Sequence, residues 1–406
     1  MTNLELKPTL RFPEFTDSWG LATISDCGTV VTGSTPSTSN QGFYGGDYNF
    51  ISPADMQGQR YVDTTKTTLT EAGFNKCRKL PSSSILFVCI GSSIGKVAQV
   101  VQESCSNQQI NALIVNDNNS SDFLFSLLEK QSSRIAILAG EQAVPIINKS
   151  QFSKVKLVTS KCKIEQQKIA DFLTSVDKKI SLLKEKYVLL NQYKKGVMQK
   201  LFKQEIRFKD DNGKAFPDWE IKPLSKLADK NSLKNKDNAV NSVLTNSAKK
   251  GIVNQGDYFN KDIANQGNLT GYTVVEKNDF IYNPRISELA PVGPIKRNHI
   301  GLGVMSPLYT SFRFKDENVL DYLEQYFNTS MWHRYMHSIA NFGARHDRMN
   351  ITSADFYALP LPLPCEDERE KIVSFIKALE AKVNAVNEQV ELTQTFKKGL
   401  LQQMFV

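Results

Sequence analysis

The chain has 406 residues, 40% of them hydrophobic and 10% aromatic, with a formal net charge of +8 and a pI near 9.0. This composition excludes a disordered chain, and the length exceeds one ordinary core, so two domains are predicted. The basic balance favours a polyanionic partner. The six cysteines show no CxxC spacing, which favours reduced thiols in a cytoplasmic protein. The longest apolar stretch, residues 85–90, is too short to span a membrane.

The first half of the chain is predicted to form a mixed α and β domain. It opens on Phe12-Pro13 and Trp19, and short runs such as residues 84–89 (SILFVC) predict strands between turn-forming Gly, Pro, Asn and Ser. One helix is predicted over residues 122–139. An extended run over residues 153–158 is expected to end the domain.

A long helix is predicted next, over residues 161–205. Its apolar residues recur in alternating steps of four and three, with one miss at Lys194, which is typical of a coiled-coil seam. The seam consists of Ile169, Leu173, Val176, Ile180, Leu183, Tyr187, Leu190, Val197 and Leu201. A helix of about 40 residues spans about 60 Å, so it can act as a rigid spacer.

The second half repeats the order of the first. It opens on Phe216-Pro217 with Trp219, contains a strand-like run over residues 279–282 and a helical stretch over 318–340, and ends with an extended run over 357–364. A second long helix follows. The predicted organisation is a first domain over residues 1–160, a helix over 161–205, a second domain over 206–363 and a helix over 364–406.

An internal repeat links the two long helices. Residues 193–202 read YKKGVMQKLF and residues 396–405 read FKKGLLQQMF, 203 residues apart, and Lys168-Ile169 aligns with Lys371-Ile372 at the same offset. The chain is therefore interpreted as a tandem duplication whose two helices pack on each other. The alternative is two long amphipathic helices docked on separate cores. A duplicated protein suits a pseudo-two-fold target, and duplex DNA is the commonest one.

Several strings in this order carry a family resemblance. They are GSTP at residues 33–36, NQQINALIV at 107–115, RFKDDNGKAFPDWE at 207–220 and the two KKG-containing helix ends. Together they resemble the specificity (S) subunit of Type I restriction-modification enzymes over essentially the whole chain. The resemblance implies an α+β fold: two tandem mixed α/β target-recognition domains in a pseudo-two-fold relation, separated by two long helices that form an antiparallel coiled coil.

The resemblance also implies a function in defence against foreign DNA. Each domain is expected to read one half of an asymmetric bipartite sequence in double-stranded DNA, and the coiled coil is expected to fix the gap. The subunit itself is expected to be non-catalytic and to bind no cofactor. It would recruit two modification subunits, which methylate adenine with S-adenosylmethionine, and two restriction subunits, which use ATP and Mg²⁺.

Motifs that resemble enzyme sites are incomplete. Residues 91–97 read GSSIGKV, but the spacing and Val97 do not fit a phosphate-binding loop. Asn283-Pro284-Arg285 lacks the second proline and the aromatic residue of an amino-methyltransferase motif. His333 and His337 have a metal-compatible spacing without a third ligand, so a packed surface is favoured. No catalytic residue and no metal ligand is predicted.

Sequence reading is assigned to loops with polar and basic side chains, because these offer forked donors or donor-acceptor pairs to base edges. The candidates are Thr35, Lys76, Arg78, Lys79, Asn107, Gln108, Gln109 and Asn111 in the first domain, and Arg285, Lys296, Arg297, Arg345, His346 and Arg348 in the second. A phosphate contact or plain exposure is the alternative for each. Residues 107–111 are equally compatible with joining a turn to a strand.

Apolar side chains near the helix ends are predicted to bind partner subunits. These are Val197, Met198 and Leu201 in the first helix and Leu400, Leu401 and Met404 in the second. Two equivalent patches would bind two copies of one partner.

Other classes of function remain open at this point. One is a coiled-coil RNA-binding protein with two basic lobes, which a preference for single-stranded RNA would favour. Another is a protein scaffold, for which nucleic-acid binding would show little salt dependence. An enzyme is the weakest alternative, since no complete motif is present.

Overall fold

The computed structural model describes residues 6–140, 144–258, 269–341 and 347–406, which form two compact units. The first unit combines Met1–Glu185 with Val386–Val406, and the second comprises Lys186–Ala385. Each unit therefore contains one mixed α/β domain. The first unit also holds the beginning of the first long helix and the end of the second, and the second unit holds the end of the first long helix and the beginning of the second. Among the described residues, no helix is both long and apolar enough to cross a lipid bilayer.

The first unit is built from ten short strands and four short helices in the described residues. The strands are β1 Gly20–Thr23, β2 Gly28–Thr32, β3 Tyr44–Ile51, β4 Tyr61–Val62, β5 Thr67–Leu69, β6 Ile85–Val88, β7 Val97–Val100, β8 Cys105–Ser106, β9 Ile110–Val115 and β10 Lys156–Thr159. The helices are α1 Ile24–Cys27, α2 Glu71–Phe74, α3 Ser121–Ala136 and α4 Lys149–Ser153. The first long helix, α5 Lys163–Phe202, begins in this unit.

The second unit has the same order of parts. Its strands are β11 Glu220–Pro223, β12 Ala228–Asn231, β13 Leu244–Ser247, β14 Gly251–Asn254, β15 Thr273–Val275, β16 Phe280–Tyr282, β17 Ile295–Arg297, β18 Gly303–Met305, β19 Thr310–Phe314 and β20 Pro360–Leu363. Its helices are α6 Leu224–Leu227, α7 Gln255–Tyr258, α8 Leu320–Phe327, α9 His333–Ile339 and α10 Ser353–Tyr357. The second long helix, α11 Glu366–Met404, begins here and ends in the first unit.

In each domain, successive side chains of one central strand pack into two different cores. In the first unit the sheet order is β2-β9-β6-β7-β4, and in the second it is β12-β19-β16-β17. Ile85 and Phe87 of β6 pack into the core beneath α3, whereas the intervening Leu86 packs on the other face. In β16, Phe280 and Ile281 divide between two cores in the same way. Both faces of these strands are buried, so the runs are short and apolar throughout, as expected for a strand inside a core.

Each domain is closed by pairing its first strand with its last. β1 pairs with β10 in an antiparallel register that places Gly20 opposite Thr159, and β11 pairs with β20 with Glu220 opposite Leu363. The extended runs predicted before the two long helices are therefore strands. Their pairing brings the start of each domain to the start of its long helix.

The helix predicted over residues 318–340 is instead two helices, α8 and α9, which makes that prediction wrong. The break falls at residues 328–332, where polar side chains bond locally to the backbone. Thr329 Oγ1 donates to the carbonyl of Tyr326 at 2.7 Å. Such local bonds compete with the helical ladder, and the 3.6-residue apolar period does not reveal them.

The long helices pair in an antiparallel arrangement in each unit. In the first unit Lys397, near the end of α11, contacts Asp177, near the start of α5, at 2.7 Å. In the second unit Lys194, near the end of α5, contacts Glu380 of α11 at 3.2 Å. Residues 194 and 397, like 177 and 380, are related by the 203-residue repeat. The predicted pair of antiparallel long helices is thus confirmed.

The end of each long helix is buried in a domain core. Phe405, the residue that follows α11, packs against Trp19 and Phe123, with ring centroids 6.1 and 5.2 Å away. Phe202 of α5 packs against Tyr322 and lies in the core of the second unit. Each helix therefore follows one domain in sequence and completes the core of the other.

A buried carboxylate anchors the start of each long helix. Glu165 accepts hydrogen bonds from Arg11 Nε at 2.6 Å and Trp19 Nε1 at 3.2 Å. At the equivalent position, Glu368 accepts from Arg207 Nη2 at 2.8 Å and Trp219 Nε1 at 2.9 Å. The two glutamates are 1% and 0% exposed. We name these the two glutamate clamps.

Candidate nucleic-acid interface

Three loops of the first unit converge at the end of β2. The backbone N–H of Gly33 donates to Ile110 at 3.0 Å, and that of Ser34 donates to Ser106 at 2.8 Å. A Cβ at residue 33 would lie 2.1 Å from the carbonyl oxygen of Asn107. Only glycine permits this approach, which explains the first residue of the GSTP string.

Arg78 is anchored to the same place from the loop after α2. Its backbone N–H donates to Ser34 Oγ at 3.0 Å, and one guanidinium nitrogen donates to the carbonyl of Thr32 at 2.7 Å. Arg78 nevertheless remains exposed. One arm of the guanidinium is held by the protein, so the orientation of the rest is constrained.

Thr35 and Gln108 complete this patch. Thr35 Oγ1 donates to Gln108 Oε1 at 2.5 Å, and both residues are exposed. This bond uses one lone pair of the Gln108 amide oxygen and fixes the amide plane, which leaves the second lone pair and the Nε2 donor free. We call Thr35, Arg78 and Gln108 the recognition patch; it joins three of the residues predicted from the sequence.

The other first-unit candidates divide into two groups. Lys76 and Lys79 are exposed, with Lys79 Nζ 4.8 Å from the centre of the Phe74 ring. They add positive charge beside Arg78. Asn107 and Gln109 are partly exposed and bond to each other, since Asn107 Nδ2 donates to Gln109 Oε1 at 3.0 Å. This bond shapes the loop that presents Gln108.

Asn111 requires a correction. It is only 2% exposed, and its Oδ1 accepts a hydrogen bond from Thr32 Oγ1 at 2.7 Å. It pairs with Thr32 within the β2–β9 ladder. Its amide therefore joins two strands, which is the structural alternative considered for residues 107–111.

In the second unit, Arg285 and Arg348 lie opposite each other. Residues 285 and 348 form a bridge, and the backbone N–H of Ile286 donates to Asp347 at 3.0 Å. Arg285 is 62% exposed, with its Nε 4.0 Å from Asp347. A cavity of about 450 Å³ opens beside this pair. Its lining includes Tyr282, Pro284, Arg348, Asn350, Thr352 and Phe356.

Arg297 is not available for DNA, which corrects its prediction. Its guanidinium donates to Asn278, to Asp321 at 2.6 Å and to Glu324 at 3.3 Å, and its side chain is 12% exposed. These bonds tie Arg297, the last residue of β17, to α8. Its neighbour Lys296 lies apart from Arg285, at a second cavity described below. Arg345 and His346 lie outside the described residues.

The predicted partner-binding residues also require a correction. Met198, Leu201, Leu400, Leu401 and Met404 are each no more than 8% exposed, and Val197 is partly buried. Leu400, Leu401 and Met404 pack in the first core with residues of α5, and Met198 packs in the second core. The apolar character of these five buried residues serves the chain's own cores, so they offer no exposed surface.

A different set of apolar residues on the long helices is exposed. Leu189 and Tyr193 of α5 are each 55% exposed, and Leu392 and Phe396 of α11 are 62% and 56% exposed. The two pairs are related by the 203-residue repeat. The signal was present in the sequence, since these apolar residues lie off the coiled-coil seam at equivalent positions in both copies.

Parts of the sequence are similar to known Type I specificity subunits. Residues 16–192 match the family model of the Type I restriction modification DNA specificity domain. A stretch of 147 residues is 37% identical to the Type I restriction enzyme HindI specificity subunit of Haemophilus influenzae, covering 35% of this chain and 32% of that protein. A stretch of 223 residues is 27% identical to the MjaIX specificity subunit of Methanocaldococcus jannaschii, covering 52% and 51% respectively. The chain thus spans about a third of the first relative and half of the second.

Solved structures show the class of fold over almost the whole chain. The S subunit of a Type I restriction-modification system from M. genitalium is similar with a TM-score of 0.56 and 15% identity, over 98% of this chain and 99% of that one. A chain from a structural study of complex assembly in the type I R-M system gives 0.54 and 14%, over 95% and 97%. The fold is that of Type I specificity subunits. Residues 16–192 are similar to the DNA specificity domain family, in agreement with the resemblance predicted from the sequence.

Proposed function

We propose that this chain is the DNA-specificity subunit of a Type I restriction-modification complex. The recognition patch is the observation that carries the proposal, because three sequence-distant loops present an arginine and a glutamine at one exposed place. Arginine pairs with two acceptors of guanine and glutamine with adenine in the major groove. Each domain reads one half of a bipartite sequence in duplex DNA.

Specification and positioning fall to different residues. Arg78 and Gln108 read base edges in the first unit, and Lys76 and Lys79 hold phosphates without specifying sequence. In the second unit Arg285 and Arg348 take the corresponding part beside the 450 Å³ cavity. The antiparallel pairing of α5 and α11 supports a spacer that sets the unread gap.

Catalysis belongs to the partners in this proposal. The chain binds no cofactor; methylation of adenine uses S-adenosylmethionine on two modification subunits, and two restriction subunits use ATP and Mg²⁺. The repeated exposed residues on the long helices suit two copies of one partner. We assign the two modification subunits to these docking faces, formed by Leu189, Tyr193 and Gly196 on α5 and by Leu392, Phe396 and Gly399 on α11.

Replacing Arg78 by alanine is expected to relax the preference at one base pair of one half-site. A bidentate arginine contributes about 1–3 kcal/mol of discrimination. Lys79→Ala is the matched control, because Lys79 lies in the same loop as Arg78 and carries the same charge. The Lys79→Ala variant should weaken binding to all duplexes alike. The slope of log K against log salt concentration should fall by about one, as for the loss of one phosphate contact.

The measurement is duplex binding by the full chain with its modification subunit, at several salt concentrations, using the motif found by mapping adenine methylation in the source cell. Equal effects of the two variants on matched and mismatched duplexes would contradict base reading by Arg78. Tighter binding of single-stranded RNA than of duplex would instead favour the RNA-binding alternative, and binding without salt dependence would favour a protein scaffold.

A further inference from the structure

The second unit contains a cavity of about 550 Å³ whose lining includes neither Arg285 nor Arg348. Lys194 and Lys195 of α5 line one side, Lys296 of β17 lines another, and Glu380 contributes the carboxylate. Three lysines thus face one glutamate. The volume is typical of sites for small ligands, and the excess positive charge favours an anion.

Lys296 is half-buried, and the hydrogen bond of its ammonium group goes to a neutral group. Its Nζ donates to the side-chain oxygen of Asn328 at 2.6 Å, which is a neutral amide. Burial lowers the pKa of Lys296. The charge of Glu324 opposes this shift in pKa without cancelling it. A partly desolvated ammonium group is stabilised by an anion, so an anionic ligand would relieve the remaining cost.

Gln325 provides an independent observation at the same cavity. The residue is 7% exposed and lines the cavity, and its Oε1 has no hydrogen-bond partner among the described residues. A buried acceptor without a partner is costly and is uncommon in folded proteins. A ligand with a hydroxyl or amine donor would satisfy it.

In the first unit, a carboxylate neutralises the positive charge at the position equivalent to this cavity. The helices α3 and α8 correspond: Asp122 and Asp321 each bind an arginine, and Phe123 and Tyr322 each meet the tryptophan of a glutamate clamp. In this alignment Asn328 stands where α3 has Glu129.

Glu129 makes the difference in charge between the two places. It binds Lys397 at 2.6 Å, and Asp177 binds the same ammonium at 2.7 Å. The equivalent Lys194 has one carboxylate, Glu380, at 3.2 Å. The second unit thus has the amide of Asn328 in place of the carboxylate of Glu129. This difference leaves an excess of positive charge in the lining of the cavity.

We propose that this cavity binds a phosphorylated ligand, with Lys195 and Lys296 holding the phosphate and Gln325 accepting a hydrogen bond from a hydroxyl or amine of the ligand. Lysine binds phosphate as a point charge, and the net two positive charges of the lining match a phosphate monoester. A nucleoside monophosphate has both the phosphate and the donors. A DNA backbone phosphate is the other source of the same chemistry.

The test measures binding of AMP and of inorganic phosphate to the full chain by calorimetry. Lys296→Gln is expected to weaken binding about 10- to 100-fold, as for loss of a charge-assisted hydrogen bond. Lys398→Gln is the matched control, since Lys398 is the repeat equivalent of Lys195 in the first unit and is exposed. It should change binding less than twofold.

Thermal unfolding checks that the variant folds and gives a second readout. Phosphate should raise the Tm of the native chain and of Lys398→Gln but not that of Lys296→Gln. If AMP and phosphate do not bind, but Lys296→Gln weakens duplex binding and Lys398→Gln does not, the site holds a backbone phosphate. Equal behaviour of the two variants in every assay would overturn the proposal. Sequence reading by Arg78 is tested separately, so either idea can fail alone.

Discussion

Replacing Glu368 by alanine is expected to destabilise the second unit by about 3 kcal/mol, the lower end of the range for breaking a buried ion pair. The partly buried Arg207 would lose its buried counter-charge and keep only Asp218, which is fully exposed and lies 3.5 Å away. Glu368 is fully buried and accepts hydrogen bonds from Arg207 Nε at 3.1 Å, from Arg207 Nη2 at 2.8 Å and from the indole N–H of Trp219. Hydrogen bonding to this carboxylate raises the pKa of Arg207. The variant removes the acceptor of all three donors at once.

Urea unfolding followed by tryptophan fluorescence measures this effect, since Trp219 is itself bonded to Glu368. Glu370→Ala is the control, because Glu370 is exposed two residues further along the same helix. Its free energy of unfolding should stay within about 0.5 kcal/mol of the native value. Glu165→Ala should resemble Glu368→Ala, since Glu165 also binds an arginine and a tryptophan.

The double variant Arg207→Leu with Glu368→Leu separates charge from packing. Removing both partners leaves no unpaired buried charge, so it should recover much of the stability that Glu368→Ala loses. A loss below about 1 kcal/mol for Glu368→Ala, or a double variant as unstable as the sum of the two single changes, would show that the clamp contributes little through charge pairing.

The two long helices were the part of the fold most open to prediction. The alternation of steps of four and three and the 203-residue repeat predict helices over 161–205 and 364–406, and α5 and α11 occupy Lys163–Phe202 and Glu366–Met404. The signal is strong because it extends over about 40 residues of each helix and occurs twice. Central strands such as β6 were also predictable, since each carries an uninterrupted apolar run.

The glutamate clamps were not predicted from the sequence. Glu165 and Glu368 look like ordinary acidic residues in the first turn of a helix, where carboxylates are common. Their partners Arg11 and Arg207 lie more than 150 residues away. Only the repeat offset connects the two glutamates, and it does not indicate that they are buried.

The helix ends show how a correct pattern led to a wrong surface. The apolar residues Leu400, Leu401 and Met404 were recognised, but a helical period says only that one face is apolar. It does not say which element covers that face. Leu401 and Met404 are buried in the core that contains Trp19, almost 400 residues earlier in the sequence. Long-range packing of this kind leaves no local signal.

The candidate DNA site was predictable in residue type and only partly in position. Thr35, Arg78 and Gln108 come together because β2, β9 and the loop after α2 meet at one edge. Arg297 has the same forked donors as Arg78, yet Asp321 and Glu324 neutralise it. A basic side chain in a loop is free for DNA only when no carboxylate of its own domain lies beside it, and the sequence does not show those neighbours.

Exchanging Tyr193 or Phe396 for glutamate is expected to remove one modification subunit from the complex in each case, and the double variant is expected to remove both. This prediction depends on the proposed function. Both side chains are more than half exposed on α5 and α11 and are repeat equivalents. Buried aromatic anchors commonly contribute about 2–4 kcal/mol to an interface, and a charge in their place adds a desolvation cost.

A glycine one turn further on indicates that the partner element comes close. Gly196 and Gly399 follow Tyr193 and Phe396 by three residues, on the same face of each helix, and open space surrounds the position of a Cβ at both. Glycine inside a helix costs about 1 kcal/mol relative to alanine. Its presence in both copies is explained if a partner helix packs against the backbone there. Gly196→Leu and Gly399→Leu should therefore weaken assembly although they favour the helix itself.

The experiment is the mass of the complex after co-expression with the modification subunit, measured by light scattering and native mass spectrometry. Val188→Glu is the matched control: Val188 is exposed beside Leu189, and its repeat equivalent is already Glu391. It should retain two copies of the partner. Tyr193→Glu and Phe396→Glu should each retain one copy, which would show two independent docking faces. Retention of both copies by the double variant would exclude these faces as the docking site, while duplex reading by the recognition patch would be unaffected by that result.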